Sequence, residues 1–299
     1  MSNPIFSGSA VAIVTPFDNA GEVNYVKFGE LIDEQIAGGT AAIVVCGTTG
    51  ESATQTLEEH SKTVDFAIKH VNHRVPVIAG AGSNDTAAAL FLCEHAQHSG
   101  ADALLLVTPY YNKTSQRGLI KHYTYLADAV DIPIILYNVP ARTGVDIAPE
   151  TYAALAKHKM IAGTKEASGN IGNLSRTLKL TENDDFDVWS GDDAYTLPLI
   201  AMGAIGVISV LANIYPRVMA DLCEAALKGD FAKARELHYN ALEAMNAMMY
   251  DVNPIPVKTA MNLLGKDVGQ LRMPLTDMDE ATLERLKKAL DGARTQNFR

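Results

Sequence analysis

The sequence is poor in cysteine, in positive charge and in long apolar runs, and each shortage removes a class of protein. Its three cysteines, Cys46, Cys93 and Cys223, are odd in number and widely spaced, which leaves no disulfide framework and no zinc motif. Reduced thiols fit a cytosolic protein. Lysine and arginine number 25 against 35 aspartates and glutamates, a formal net charge of -10, whereas a nucleic-acid partner would select basic patches. No apolar run approaches the ~20 residues of a membrane span. Residues Met1 to Gly8 carry no basic stretch followed by an apolar one, so no signal peptide is expected. The histidines show no ligand spacing. His70 and His73 have no carboxylate placed to complete a site, so no metal is expected. No local motif brings together Ser, His and Asp, or Cys and His. The expectation is a cytoplasmic globular protein with no metal, membrane or nucleic-acid partner.

What the chain does have is hydrophobic residues, 47% of the total, concentrated in short β-branched runs. They are 11–14, 42–45, 75–78, 103–107, 132–136, 160–163, 186–189 and 205–210. The runs are continuous rather than alternating, as in strands buried on both faces. Helical periodicity fills the intervals. Asn24 can cap a helix stopped by Gly38-Gly39, and Thr56 with Glu59 has capping-box spacing. Asn84 or Asp85 can start a third helix ended by Gly100, and Thr114 or Ser115 a fourth. Alternating β and α elements imply parallel strands with right-handed crossovers. Eight such units predict an α/β chain folded as a (β/α)₈ TIM barrel.

The alternative, an open doubly wound sheet, lacks support because no Gly-x-Gly-x-x-Gly follows the first run. Gly80-Ala81-Gly82 after the third run reads as backbone accommodation. Beyond the last run the pattern changes. Phe231, Ala234, Leu237, Ala241, Met245 and Met248 share a helical face, and Leu283, Leu286 and Leu290 another behind Asp279. The predicted organisation is a catalytic barrel over residues 1–224 and a C-terminal helical appendage over 225–299.

A barrel of this type carries its active site at the C-terminal ends of its strands. That rule gathers Gly47-Thr48-Thr49-Gly50-Glu51-Ser52, Thr108-Pro109-Tyr110-Tyr111-Asn112, residues 137–144, Gly163-Thr164-Lys165-Glu166 and Ser190-Gly191-Asp192-Asp193 on one face. Lys165 ends an apolar run behind two small residues. A lysine amine shed of its proton is a nucleophile, and its product with a carbonyl is an imine that acts as an electron sink. The strand-end position alone leaves a second reading open, an ion pair with Glu166 or a nearby aspartate. Tyr137 belongs on the strand beside Lys165, either as a proton shuttle or as a core tyrosine. Thr48 and Thr49 can offer hydroxyls and N–H groups to a carboxylate or simply serve a turn. Arg142 can clamp a carboxylate or sit solvated at the surface.

Taken in order, these motifs resemble the dihydrodipicolinate synthase/N-acetylneuraminate lyase family of Schiff-base aldolases. The resemblance runs from Ala12-Ile13-Val14-Thr15-Pro16-Phe17 to Asn253-Pro254-Ile255-Pro256-Val257-Lys258, and it weights Lys165 toward catalysis. Three features favour the branch that condenses pyruvate with aspartate semialdehyde in lysine and diaminopimelate biosynthesis. They are the pair Thr48-Thr49, Tyr111 after Thr-Pro-Tyr, and Arg142 where the sugar-acid lyases carry an apolar residue.

The resemblance implies an imine on Lys165 with no separate cofactor. It implies a proton relay of Tyr137, Thr48 and Tyr111, with Tyr111 lent by a neighbouring subunit. Thr49 and Tyr137 would hold the pyruvate carboxylate, and Arg142 that of aspartate semialdehyde. Gly191 and Ile208 would line the pocket through backbone carbonyls. A homotetramer built as a dimer of dimers is implied. An effector site for lysine is matched by Ser52, Asn84 and Tyr110, but Leu57 and Ala88 replace a histidine and a glutamate, which implies weak inhibition. Competing readings are another pyruvate-dependent aldolase acting on a sugar acid or hydroxy acid, or a non-enzymatic binder of a 2-oxo acid. The binder would have no use for a nucleophile and a proton relay together.

Overall fold

A computed structural model describes residues 3–295. Eight parallel strands close into a barrel in sequence order: β1 (Gly8–Ala12), β2 (Ala42–Val45), β3 (Val77–Gly80), β4 (Ala103–Val107), β5 (Ile134–Asn138), β6 (Ile161–Glu166), β7 (Asp187–Ser190) and β8 (Gly206–Ser209), which pairs with β1. The predicted (β/α)₈ architecture is therefore the observed one. Strand ends differ from the apolar runs by a few residues. In β1 the ladder starts at Gly8, and Ile13 and Val14 lie past the strand end. In β6 the strand continues through the polar Thr164, Lys165 and Glu166. Hydrophobicity alone misplaces such ends, because backbone pairing does not require an apolar side chain.

The strands divide their side chains between two cores, the reason the runs lack alternation. One set, including Ile43, Val45, Leu104, Leu106 and Val188, packs outward against the helices. The other, including Ala10, Ala12, Ala42, Ala103, Tyr137 and Trp189, fills the barrel. Its floor is plugged by Phe6, whose ring stacks on the fully buried Trp189 with centroids 5.1 Å apart.

The helix starts follow their capping residues. Asn24 accepts from the Lys27 N–H, Thr56 from Glu59, Asp85 from Ala87 and Ser115 from Gly118. Asp85 and Ser115 thus take the caps for which Asn84 and Thr114 were alternatives. The Glu59 carboxylate does not complete a capping box. It forms a bidentate pair with Arg272, because an arginine fork offers a carboxylate two charge-assisted bonds in place of one.

After β8 the helix Pro216–Leu227 crosses residue 224, and the helices Phe231–Ala247, Ile255–Leu263 and Glu280–Thr295 follow. On the second of these Ala234, His238, Ala241 and Met245 are buried while Phe231 is exposed. The segment that follows returns to the mouth of the barrel. There Lys258, with its side chain 1% exposed, is paired with the equally buried Glu51 at 2.8 Å. Both Lys258 and Arg272 lie over the Phe17 ring, at 4.3 and 4.1 Å from its centroid. Among the described residues no helix is long and apolar enough to cross a membrane.

Candidate active site

Strand register places Lys165 opposite Tyr137 on one side and Trp189 on the other. Tyr137 and Trp189 belong to the barrel interior, so Lys165 projects inward with them. The residue is 5% exposed, and its Nζ lies 4.3 Å from the centroid of the Tyr137 ring. Among the described residues no hydrogen bond or ion pair engages this amine.

The ion-pair reading of Lys165 fails on strand geometry. Successive side chains on a strand point to opposite faces, and Glu166 points outward into a network of its own. Its carboxylate accepts from the Ser168 N–H at 2.7 Å, from the Tyr152 hydroxyl at 3.0 Å and from Asn138 Nδ2 at 3.2 and 3.3 Å. Burial raises the Glu166 pKa, and these hydrogen bonds pull the other way. The network fastens the end of β6 to β5 and so fixes the direction of Lys165.

Gly191 follows β7, and its backbone N–H donates to the Glu166 carbonyl at 2.7 Å. A Cβ added there would meet the Ala167 Cβ at 2.8 Å and the Lys165 Cε at 3.1 Å. The absence of a side chain at 191 is therefore what leaves room for the lysine. Ile208 is fully buried on the interior face of β8. Just beyond it the buried Asp193 accepts from the Val210 and Leu211 N–H groups at 3.1 and 2.8 Å. Burial pushes its pKa up to about 6.

A cavity of about 410 Å³ opens at the mouth between the loops after β2, β3, β4 and β5. Thr48, Arg142, Ser52, Tyr110, Leu57 and Ala88 stand in its wall. None of its lining residues is a carboxylate, and Arg142 is its one permanent charge. Arg142 sits at the exposed rim, and its Nη2 donates to the main-chain oxygen of Asn253 at 3.1 Å. Thr49 is buried, with its hydroxyl accepting from Asn253 Nδ2 at 2.9 Å.

Tyr111 stands apart from the others. It is 90% exposed and held at φ 68°, a left-handed conformation unusual for a tyrosine. Asn84 lines a neighbouring groove with Lys113 and His122 rather than the Ser52–Tyr110 cavity. Leu57 is half exposed beside that cavity. Among the described residues no group of His, Cys, Asp and Glu side chains could hold a metal ion.

The family model for the dihydrodipicolinate synthetase family matches residues 5–293. The chain belongs to this family. A curated relative from Geobacter sulfurreducens, a 4-hydroxy-tetrahydrodipicolinate synthase, is 55% identical over 282 residues, covering 94% of this chain and 97% of the relative. The crystal structure of dihydrodipicolinate synthase from Aquifex aeolicus superimposes with a TM-score of 0.94 at 46% identity, over 98% of this chain and 99% of that one. A solved structure described as the first monomeric dihydrodipicolinate synthase variant matches equally well, with a TM-score of 0.94 at 42% identity over 97% of each chain.

Sequence reasoning gave no role to four residues that the structure joins by hydrogen bonds at the barrel mouth: Glu51, Asn253, Lys258 and Arg272. Lys258 had a legible signal, a lysine closing the apolar stretch 254–257, the same pattern that singled out Lys165. Asn253 had none, because its partners lie 204 and 111 positions away.

Proposed function

We propose that the chain is a 4-hydroxy-tetrahydrodipicolinate synthase, condensing pyruvate with aspartate semialdehyde through an imine on Lys165. Full-length similarity to relatives of that name favours this lyase over an aldolase of sugar acids or hydroxy acids. The observation that carries the mechanism is the buried Lys165 amine, without a counter-ion and beside Tyr137. The amine attacks the ketone carbon of pyruvate and water leaves. The resulting imine withdraws electrons from the methyl group, which loses a proton to give an enamine. The enamine carbon adds to the aldehyde. The second substrate's own amine then closes on the imine carbon and releases the lysine.

Tyr137, Thr48 and Tyr111 carry protons between these steps. Thr49 and Tyr137 hold the pyruvate carboxylate, and the backbone at Gly191 and Ile208 shapes the floor. Arg142, the one permanent charge lining the mouth cavity, receives the carboxylate of aspartate semialdehyde. No cofactor is required. The effector residues Ser52, Asn84 and Tyr110 lack a carboxylate partner at Ala88, in keeping with weak sensitivity to lysine. A biosynthetic role of this kind belongs in the cytoplasm.

An assay of pyruvate with aspartate semialdehyde, run against N-acetylneuraminate, tests the substrate assignment. Turnover of the first pair alone is expected, and cleavage of N-acetylneuraminate at a comparable rate would overturn it. In the same assay Arg142→Ala raises KM for aspartate semialdehyde about tenfold to a hundredfold, the worth of a charge-assisted hydrogen bond of ~1.5–3 kcal/mol. KM for pyruvate stays nearly unchanged. Equal effects on both would make the arginine a structural residue.

The working unit is an oligomer, a dimer of dimers in which each chain lends Tyr111 to its neighbour. The exposed ring of Tyr111, next in the chain to the Tyr110 that shares a cavity wall with the half-exposed Leu57, is an apolar surface of the kind interfaces use. Co-expression of Tyr111→Phe with Lys165→Ala under different tags checks this. A mixed dimer contains one site with an intact Lys165 and an intact partner Tyr111. Purified mixed oligomers recover activity that both parents lack, and mixed oligomers as inactive as the parents would place Tyr111 in its own chain's site or in none.

A further inference from the structure

Thr49 and Arg142 stand on different loops, after β2 and β5, yet one residue from the far end of the chain touches both. Asn253 is 7% exposed. Its side-chain Nδ2 donates to Thr49 Oγ1 at 2.9 Å, and its main-chain oxygen accepts from Arg142 Nη2 at 3.1 Å. The turn that carries Thr49 is gripped again two residues later, where Lys258 Nζ donates to Glu51 at 2.8 Å. The Gly50 carbonyl between them accepts from Thr15 Oγ1 at 2.7 Å and from Gln55 Nε2 at 2.9 Å. These bonds tie the turn to its surroundings at three successive residues, and Asn253 is the contact that reaches the threonine hydroxyl itself.

The direction of that hydrogen bond has a chemical consequence. A threonine hydroxyl has one proton to donate and lone pairs to accept with. Because Asn253 supplies a donor, the hydroxyl accepts there, and its own proton is left for another acceptor. A carboxylate ligand is acceptor-only, so a threonine polarised in this way matches it. The same residue leaves Arg142 most of its N–H groups, since the carbonyl of Asn253 takes one bond from Nη2 and orients the planar fork.

We propose that Asn253 is a positioning residue that fixes Thr49 as a hydrogen-bond donor and sets Arg142 in register with it. The two carboxylate-binding groups are then held by one clip from the C-terminal segment. This rests on the assignment of Thr49 to the pyruvate carboxylate. It extends that assignment by naming what gives the hydroxyl its polarity and what ties the first-substrate site to the second.

The test compares steady-state kinetics of Asn253→Leu, Thr49→Val and the double variant, with imine trapping of pyruvate by borohydride as a binding readout. Leucine has nearly the shape of asparagine but no donor. Asn253→Leu is expected to raise KM for pyruvate about tenfold, with kcat within about threefold of the parent. Thr49→Val has a similar effect, and in its background Asn253→Leu adds less than about threefold, because the two side chains act as one unit. Asn253→Asp is expected to be worse than Asn253→Leu, since a carboxylate claims the Thr49 proton.

Effects that multiply in the double variant, or a fall in kcat with KM for pyruvate unchanged, would overturn the proposal. A normal KM in Thr49→Val would instead overturn the assignment of Thr49, and the proposal with it. Asn253→Ser, too short to reach Thr49, gives the same comparison if Asn253→Leu does not fold.

Discussion

Treatment with pyruvate and borohydride is expected to inactivate the enzyme and to leave a reduced pyruvyl group on Lys165. Among the described residues two lysines are buried to 5% or less, Lys165 and Lys258, and their surroundings are opposite. Lys258 Nζ donates to the Glu51 carboxylate and to the carbonyls of Thr15 and Gln270, at 2.8, 3.2 and 2.8 Å. All three of its donors are spent, and the adjacent carboxylate favours the ammonium that cannot attack a carbonyl. Lys165 has no such partner, and its neighbour is the Tyr137 ring.

Peptide mapping is therefore expected to place the adduct on Lys165 alone. Lys165→Arg abolishes trapping, because a guanidinium stays charged and is a poor nucleophile. Turnover falls by on the order of 10⁴-fold or more, as when an enzyme loses its nucleophile. Label on Lys258 or on a surface lysine, or no label under turnover conditions, would refute imine formation at Lys165.

Lys258→Met lowers the stability of the fold by about 3–5 kcal/mol, the cost of leaving a buried ion without its partner. The Glu51 carboxylate would keep one recorded donor, the Arg272 N–H at 3.0 Å, in a site where both charged side chains are 1% exposed. Burial itself acts to lower the Lys258 pKa, and the Glu51 charge opposes it. The pair is a mutual necessity rather than a net gain. Lys258→Met combined with Glu51→Gln is accordingly expected to lose less stability than Lys258→Met alone, because the uncompensated charge is gone. Thermal melting in parallel with urea denaturation reads both variants, and a single variant within about 1 kcal/mol of the parent would show that the pair is solvated. Activity is expected to fall with stability in Lys258→Met, since Glu51 directly follows Thr48, Thr49 and Gly50 in the turn after β2 at the barrel mouth.

The sequence by itself determined the architecture. Eight doubly buried apolar runs, separated by capped amphipathic helices, admit few arrangements other than a barrel, because parallel strands need crossovers and covered faces. It also pointed to Lys165, Tyr137, Thr48, Thr49 and Arg142, since strand ends in such a barrel converge on one mouth. Periodicity and strand order are local properties, and local properties survive in a linear reading.

Tertiary structure decided the rest. That Lys165 faces inward and Glu166 outward follows from the register of β6 against β5 and β7, which no count of residues gives. That Glu59 serves Arg272 rather than its own helix start follows from a chain segment more than 200 positions away. The clip of Asn253 on Thr49 and Arg142, and the burial of Lys258 against Glu51, arise because the C-terminal segment returns to the barrel mouth. Such contacts are fixed by packing between distant segments, where the sequence offers an asparagine or a lysine no more distinctive than its neighbours.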